Sequence, residues 1–460
     1  MHQFRIARRD LLKSATIAAG GALAAPLVAR HAMAADPIKV GSLLDLSGPI
    51  GSSGQAMHAT IRLAVDEANA GGGLLGRPIE LVNYDTQSTI QLYSQYAQQL
   101  ALKDKVAVVH GGITSASREA IRPVFDRYST LYFYNVLYEG GVCDRDCFCT
   151  GTTPAQTVNK LVPYALETWG KKAYIIAADY NYGQITAKWM GKYVRDGGGT
   201  VQATEFFPLD VTEFAATISK IQQAGPSVVL SALVGSNHTA FYRQWAAAGM
   251  KGKIPIASTT FGLVNEIATI APSESDGVVT SYGYYEELVT PASTAFVRAV
   301  RAKFGDDLPY ISELAAATYE GFKLWAEGVK KAGSVDRMKV TEALEAGIAV
   351  DGPSGKVTID HATHHVVRNA YLAKAAERKW DVFKSYPAGK CVRRRLPPRL
   401  DGAGTPHHRG DTRPRAARGD RRPHGRPARA RAAAMGRDRH RAGAGAGAGA
   451  AGRARRRHDP

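Results

Sequence analysis

The sequence predicts an α/β protein made of two consecutive lobes. Three observations carry this. Short runs rich in Val, Ile and Leu alternate with helix-length amphipathic segments, the grammar of parallel sheets covered on both faces. The alternation breaks near residue 153 and then starts again. Charge also separates a central body from two ends: the 460 residues carry +18, but residues 391–460 hold 20 Arg and five Asp, a net +15, and residues 1–34 add +4. The body from 35 to 390 is left with −1, so the basic balance says little about what it binds.

The elements follow in order. Ile38–Leu44 reads as a strand, and Ala56–Asn69 as a helix closed by Gly71-Gly72-Gly73. Strands at 78–84, 106–110 and 131–135 alternate with helices at about 90–103 and 115–127. After the break come helices at 158–169, 187–196, 211–224 and 240–248, with strands at 173–178, 201–207, 228–233 and 254–258. Helices at about 291–304, 312–331 and 339–346 follow. Hairpin-like strands at 356–359, 366–372 and 380–383 close the body and suggest a return to a lobe already left. The expected division is 35–153 plus about 280–345 for lobe 1, and 154–279 plus about 346–390 for lobe 2.

The two ends differ from the body. Arg8-Arg9 precede a mild apolar stretch, Ser14 to Ala29, and Ala32-Met33-Ala34 places small residues before a cleavage point at Ala35. Residues 1–34 therefore read as a cleaved export signal of twin-arginine type, the alternative being a general secretory signal with two incidental arginines; either places the mature protein in the periplasm. From Cys391 onward there is no Phe, Trp, Tyr, Ile, Ser, Asn, Gln, Glu or Lys. Such a segment cannot bury a core and is expected to be disordered. It is built from the residue types that GC-rich codons specify, as an out-of-frame translation would be. No apolar run in the body is long enough to span a membrane, and four cysteines are too few for a disulfide scaffold.

Seven segments resemble one family in order and spacing: Gly41–Gly54, Asp66–Pro78, Gly111–Pro123, Tyr134–Gly140, Asp179–Gly183, Pro255–Thr260 and Asp351–Asp360. Over about residues 37–388 the chain resembles periplasmic solute-binding proteins of type I fold, from the branch serving branched-chain amino acids, urea and short amides. The resemblance implies two Rossmann-like lobes joined by three crossovers, with the ligand in the cleft between them. The strand grammar agrees, because ligands in open α/β sheets sit beyond the carboxyl ends of strands.

Carried over position by position, Ser115, Tyr134, Tyr180, Tyr182 and Thr260 match ligand-contacting positions of amide receptors. Thr114, Tyr138 and Phe261 are further candidates, Phe261 sharing one loop position with Thr260. Thr114-Ser115 follows a strand and opens a helix, where free N–H groups and hydroxyls can hold an oxygen; the alternative is a plain cap. Tyr180 and Tyr182 point the same way if their segment is extended. Glu313 and Asp179 are candidate partners for a ligand ammonium, weighed evenly against ordinary carboxylates.

Cys143, Cys147 and Cys149 lie in one loop, and in an exported protein one local disulfide from Cys143 to Cys147 or Cys149 is favoured. His364-His365 read as a solvated turn rather than a metal site. No nucleophile elbow, zinc-protease motif or phosphate loop occurs. The expectation is a binder and not an enzyme, with no cofactor and no metal. It would be a monomer that captures a small polar solute, urea or a short amide, and delivers it to an inner-membrane ABC permease. The alternatives are a branched-chain amino-acid receptor and an amide-sensing regulator on the same fold. Nucleic acid is not an expected partner of the body; only the arginine tail could serve one.

Overall fold

In the computed structural model, residues 36–142 and 144–391 are described. The predicted export signal, Cys143 and the arginine-rich segment lie outside them.

The first lobe opens with β1 (Ile38–Leu44), α1 (Gly51–Ala70), β2 (Ile79–Asp85) and α2 (Ile90–Gln98), whose last turn widens to π geometry at Gln99–Asp104. It continues through β3 (Val108–Gly111), α3 (Ser115–Arg127), β4 (Leu131–Tyr134) and β5 (Cys147–Cys149). The second lobe runs through α4 (Val158–Trp169), β6 (Lys172–Ala178), α5 (Asn181–Asp196), β7 (Thr200–Phe207), α6 (Ala215–Ala224) and β8 (Val228–Ala232). It ends with α7 (Ser236–Ala247), β9 (Ile256–Ser258), the short α8 (Glu266–Thr269) and α9 (Pro272–Ser275), and β10 (Val279–Tyr282). Then come α10 (Pro291–Phe304), α11 (Glu313–Ala332), α12 (Arg337–Glu345), β11 (Ala349–Gly352), β12 (Gly355–Asp360), β13 (His365–Ala376) and β14 (Lys379–Gly389).

Strands β1 to β5 pair in parallel in the order β2-β1-β3-β4-β5, and β6 to β10 in the order β10-β9-β8-β6-β7. The chain crosses between lobes after β5, after β10 and inside β13. The start of β13 pairs with β12 and β5, and its later residues pair antiparallel with β10 and β14. The third crossing therefore falls inside β13 and not near residue 346, because the β11–β12 hairpin first extends the lobe 1 side.

The crossovers are fastened to one another. The Glu313 carboxylate, at the start of α11, accepts the Thr152 N–H (2.9 Å) and the Gly283 N–H (2.8 Å). Fully buried Arg368 of β13 donates to the Thr150 carbonyl (2.9 Å) and pairs with Glu320 (3.1 Å). Glu313 is thus a structural staple and not an ammonium partner facing the ligand space.

Candidate functional site

Several strand-to-helix turns from both lobes converge on one cavity. Two of them are built alike. A Cβ at Gly54 of α1 would lie 1.8 Å from the Asp45 carbonyl oxygen, and one at Gly183 of α5 would lie 2.0 Å from the Ala178 carbonyl oxygen. Only glycine lets each helix start that close to the strand before it, and this brings the first turns of α1 and α5 to the cavity.

The first wall comes from lobe 1. Thr114 is the N-cap of α3, and its hydroxyl accepts the Ser117 N–H (3.1 Å). Ser115, buried at the first helical position, donates to the Glu139 carboxylate (2.5 Å). Glu139 pairs with Arg118 (2.7 Å), both side chains 3% exposed. The Arg118 guanidinium lies over the rings of Tyr134 (5.0 Å) and Tyr138 (4.5 Å). The Tyr134 hydroxyl donates to the Ile113 carbonyl (2.9 Å).

The second wall comes from lobe 2. Tyr180 is the N-cap of α5, and its ring centre lies 6.1 Å from that of Tyr182. The Tyr182 hydroxyl donates to Thr259 Oγ1 (3.0 Å), and the Thr260 hydroxyl donates to the Leu233 carbonyl. Val234, Gly235 and His238, at the start of α7, complete this wall. Neither ring nitrogen of His238 has a hydrogen bond of good geometry. Burial lowers its pKa to about 3, against a smaller opposing pull from the Leu233 backbone, so the ring is neutral. Burial also raises the pKa values of Tyr134, Tyr180 and Tyr182, which stay protonated.

Ile50, Leu263, Val264 and Leu314 form an apolar rim. Across it, Ser53 of α1 donates to the Leu263 carbonyl (2.7 Å), tying the two lobes. Trp189 of α5 makes a second tie, donating to the Glu139 carbonyl (3.2 Å). The cavity is partly open to solvent and spans about 480 Å³ with its mouth included. Among the described residues, no carboxylate, Lys or Arg side chain lines it.

Five expected contact residues and one weaker candidate meet here: Ser115, Tyr134, Tyr180, Tyr182, Thr260 and Thr114. Tyr138 and Phe261 are absent from the lining. Tyr138 sits behind the first wall, stacked on His365 and hydrogen-bonded to it. Phe261 turns into the core against Tyr242 and Trp380. The Tyr180–Tyr182 segment is not extended: α5 begins at Asn181, and the two rings stay adjacent across the cap and first turn. Asp179 is exposed, where it accepts from Gln184 (2.8 Å).

His364 and His365 are both buried and not in a solvated turn, because the β12–β13 connection packs against β5. His364 stacks on Phe148 and contacts Glu345 (3.1 Å). Cys147 and Cys149 are buried thiols in β5. Their expected partner Cys143 lies outside the described residues, so the local disulfide stays a proposal. Among the described residues no cluster of His, Cys, Asp and Glu could hold a metal ion.

Sequence reasoning missed Ser53, Val234, Gly235 and His238. For Ser53, Val234 and Gly235 the available signal was a glycine-containing polar turn between a strand and a helix, the same signal that pointed to Thr114-Ser115.

A two-lobed α/β fold with a cavity between its lobes, at the carboxyl ends of its strands, defines a solute-binding protein. The chain belongs to the periplasmic binding protein family, whose model matches residues 37–379. It is 26% identical over 368 residues to Leu/Ile/Val-binding protein homolog 7 of Brucella suis biovar 1, covering 73% of this chain and 87% of that protein. It is 24% identical to homolog 6 of Brucella melitensis biotype 1, covering 77% and 92%. Among solved structures, it matches a solute-binding protein of an ABC transporter from Rhodopseudomonas palustris BisB5, in complex with 3,4-dihydroxybenzoic acid. That match has a TM-score of 0.70 and 23% identity, covering 77% of this chain and 98% of that one. It also matches the isoleucine-bound branched-chain amino acid transporter protein from Streptococcus pneumoniae (TM-score 0.68, 22% identity, 77% and 100% coverage). The family's work is binding and not catalysis.

Proposed function

We propose that this protein is the periplasmic receptor of an ABC importer and captures an uncharged short amide or urea. The observation that carries the reading is the lining: among the described residues it holds hydroxyls, tyrosine rings, a neutral imidazole and aliphatic side chains, with no side chain of fixed charge. The ligands of the two solved relatives named above, isoleucine and a hydroxylated benzoate, both bear a carboxylate. Burying a carboxylate or an ammonium without a charged partner costs several kcal/mol or more. A neutral amide avoids that cost.

Solute that contacts both walls favours the closed arrangement over an open one, because it binds the two unequally. The closed form then docks on the inner-membrane permease. Residues 1–34 would direct export.

A second reading, a branched-chain amino-acid receptor, is favoured by the names of the Brucella relatives and by the first-turn N–H groups of α3, which can hold a carboxylate. A panel of melting curves separates the two. Acetamide, formamide or urea at a hundred times its dissociation constant should stabilise the protein by about 2.7 kcal/mol. Stabilisation by leucine or benzoate alone would replace the amide reading.

A further inference from the structure

Apart from that of Tyr180, the hydroxyls around the cavity share one property: their protons are already committed. Ser115 is bonded to a carboxylate, and Ser53, Tyr134 and Thr260 to backbone carbonyls. Those acceptors have no proton to give, so each hydroxyl must be the donor. Tyr182 bonds Thr259, whose own proton goes to the Ser231 carbonyl, so Tyr182 donates there too. Thr114 faces Ser117, whose proton goes to the Thr114 carbonyl, so Thr114 donates in turn. What these hydroxyls have left to offer a ligand is lone pairs. Donors come from elsewhere: the first-turn N–H groups of α3, the Tyr180 hydroxyl and the one N–H of the neutral His238 ring.

We infer that the cavity selects its ligand by N–H donors, and that Glu139, which does not line it, sets this selectivity by holding the Ser115 proton away from the ligand. The group recognised is an unsubstituted –CONH₂. Its two N–H bonds go to hydroxyl lone pairs and its carbonyl oxygen to the α3 and Tyr180 donors. Arg118 holds Glu139 in place, which makes the pair a positioning device for Ser115. This rests on the amide reading above and names which atoms of the amide the site reads.

The test uses the whole protein and two solutes of nearly equal shape, acetamide and acetone, which differ in an NH₂ against a CH₃. Calorimetric titration should show acetone binding at least about a hundredfold more weakly, since each lost donor leaves a buried lone pair without a partner. Acetone within threefold of acetamide overturns the inference and leaves the amide reading standing. Failure of both acetamide and urea to bind overturns both.

Glu139→Gln tests the positioning role. The glutamine amide can accept from Arg118 while donating to Ser115, so the serine proton turns toward the ligand. The acetamide-to-acetone ratio should then shrink by about tenfold or more. An unchanged ratio in a folded variant removes Glu139 from the account. Thr260→Val, which deletes one acceptor hydroxyl without a change of charge, should shrink the ratio as well and serves if the Glu139 variant does not fold.

Discussion

The two walls of the cavity present similar hydroxyls but hold them by different means. The first wall is organised by a buried ion pair: Arg118 and Glu139 fix Ser115, and Arg118 also lies under Tyr134 and Tyr138. The second wall has no such charge and relies on neutral hydrogen bonds, Tyr182 to Thr259 and Thr260 to Leu233. A buried ion pair is costly to break, because either partner alone is an uncompensated charge. A neutral hydrogen bond can be deleted for about 1 kcal/mol. The first wall is therefore a rigid reference surface, and the second is where affinity can be adjusted without unfolding the protein.

That contrast sets the order of expected effects. Arg118→Met should cost about 3–5 kcal/mol of stability, measured in guanidinium because urea is a candidate ligand. A loss below about 1 kcal/mol would mean the pair does not organise its wall.

The next effect belongs to the second lobe. Glu266 is buried behind the Leu263–Val264 rim, where its carboxylate accepts the Gly262 (3.0 Å) and Val264 (2.8 Å) N–H groups. Burial raises its pKa from 4.5 to about 7, with the backbone N–H groups pulling the other way. The folded protein thus holds a proton that the unfolded chain gives up above about pH 4.5. Stability falls as pH rises from about 4.5 to about 7, by about 3 kcal/mol in all, and levels off above. Glu266→Gln should remove that slope, and a slope that survives the substitution would assign it to another group.

Smaller effects come from the wall itself. Tyr182→Phe and Thr260→Val should each weaken amide binding by about 0.5–1.5 kcal/mol with little change in melting temperature. A large loss of stability in either would show that the second wall is as brittle as the first. The smallest effect is expected at the rim. Ser53→Ala removes the hydrogen bond that ties α1 to Leu263, and should lower affinity by less than about fivefold. Solution scattering of the ligand-free variant should show a larger radius of gyration; an unchanged radius would mean the tie does not hold the lobes together.

The same contrast explains what was legible in the sequence. Most strands and helices of both lobes followed from apolar periodicity, β10 and β11 being exceptions, and the first wall followed from the resemblance of Gly111–Pro123 and Tyr134–Gly140. The helices whose first turns were missed are α1, α5 and α7. They begin at residues 51, 181 and 236, where periodicity placed the starts at 56, 187 and 240. Those first turns carry Ser53, Tyr182 and His238. A turn that faces a ligand has no apolar face to bury against the core, so it lacks the period that marks the rest of the helix. His238 gave no sequence signal, being a single histidine in a short helix; only its burial and its unbonded ring nitrogens single it out. The strand β5 was hidden for another reason: its three residues pair in parallel with β4 across a loop whose pattern reads as cysteine chemistry.

The central claim is that an uncharged amide, and not an amino acid, fills the space between the two walls. Isothermal titration of the purified protein with acetamide and with leucine, side by side at neutral pH, tests it most directly. Saturable one-to-one heat with acetamide and none with leucine is the expected result; saturable heat with leucine and none with acetamide would contradict it.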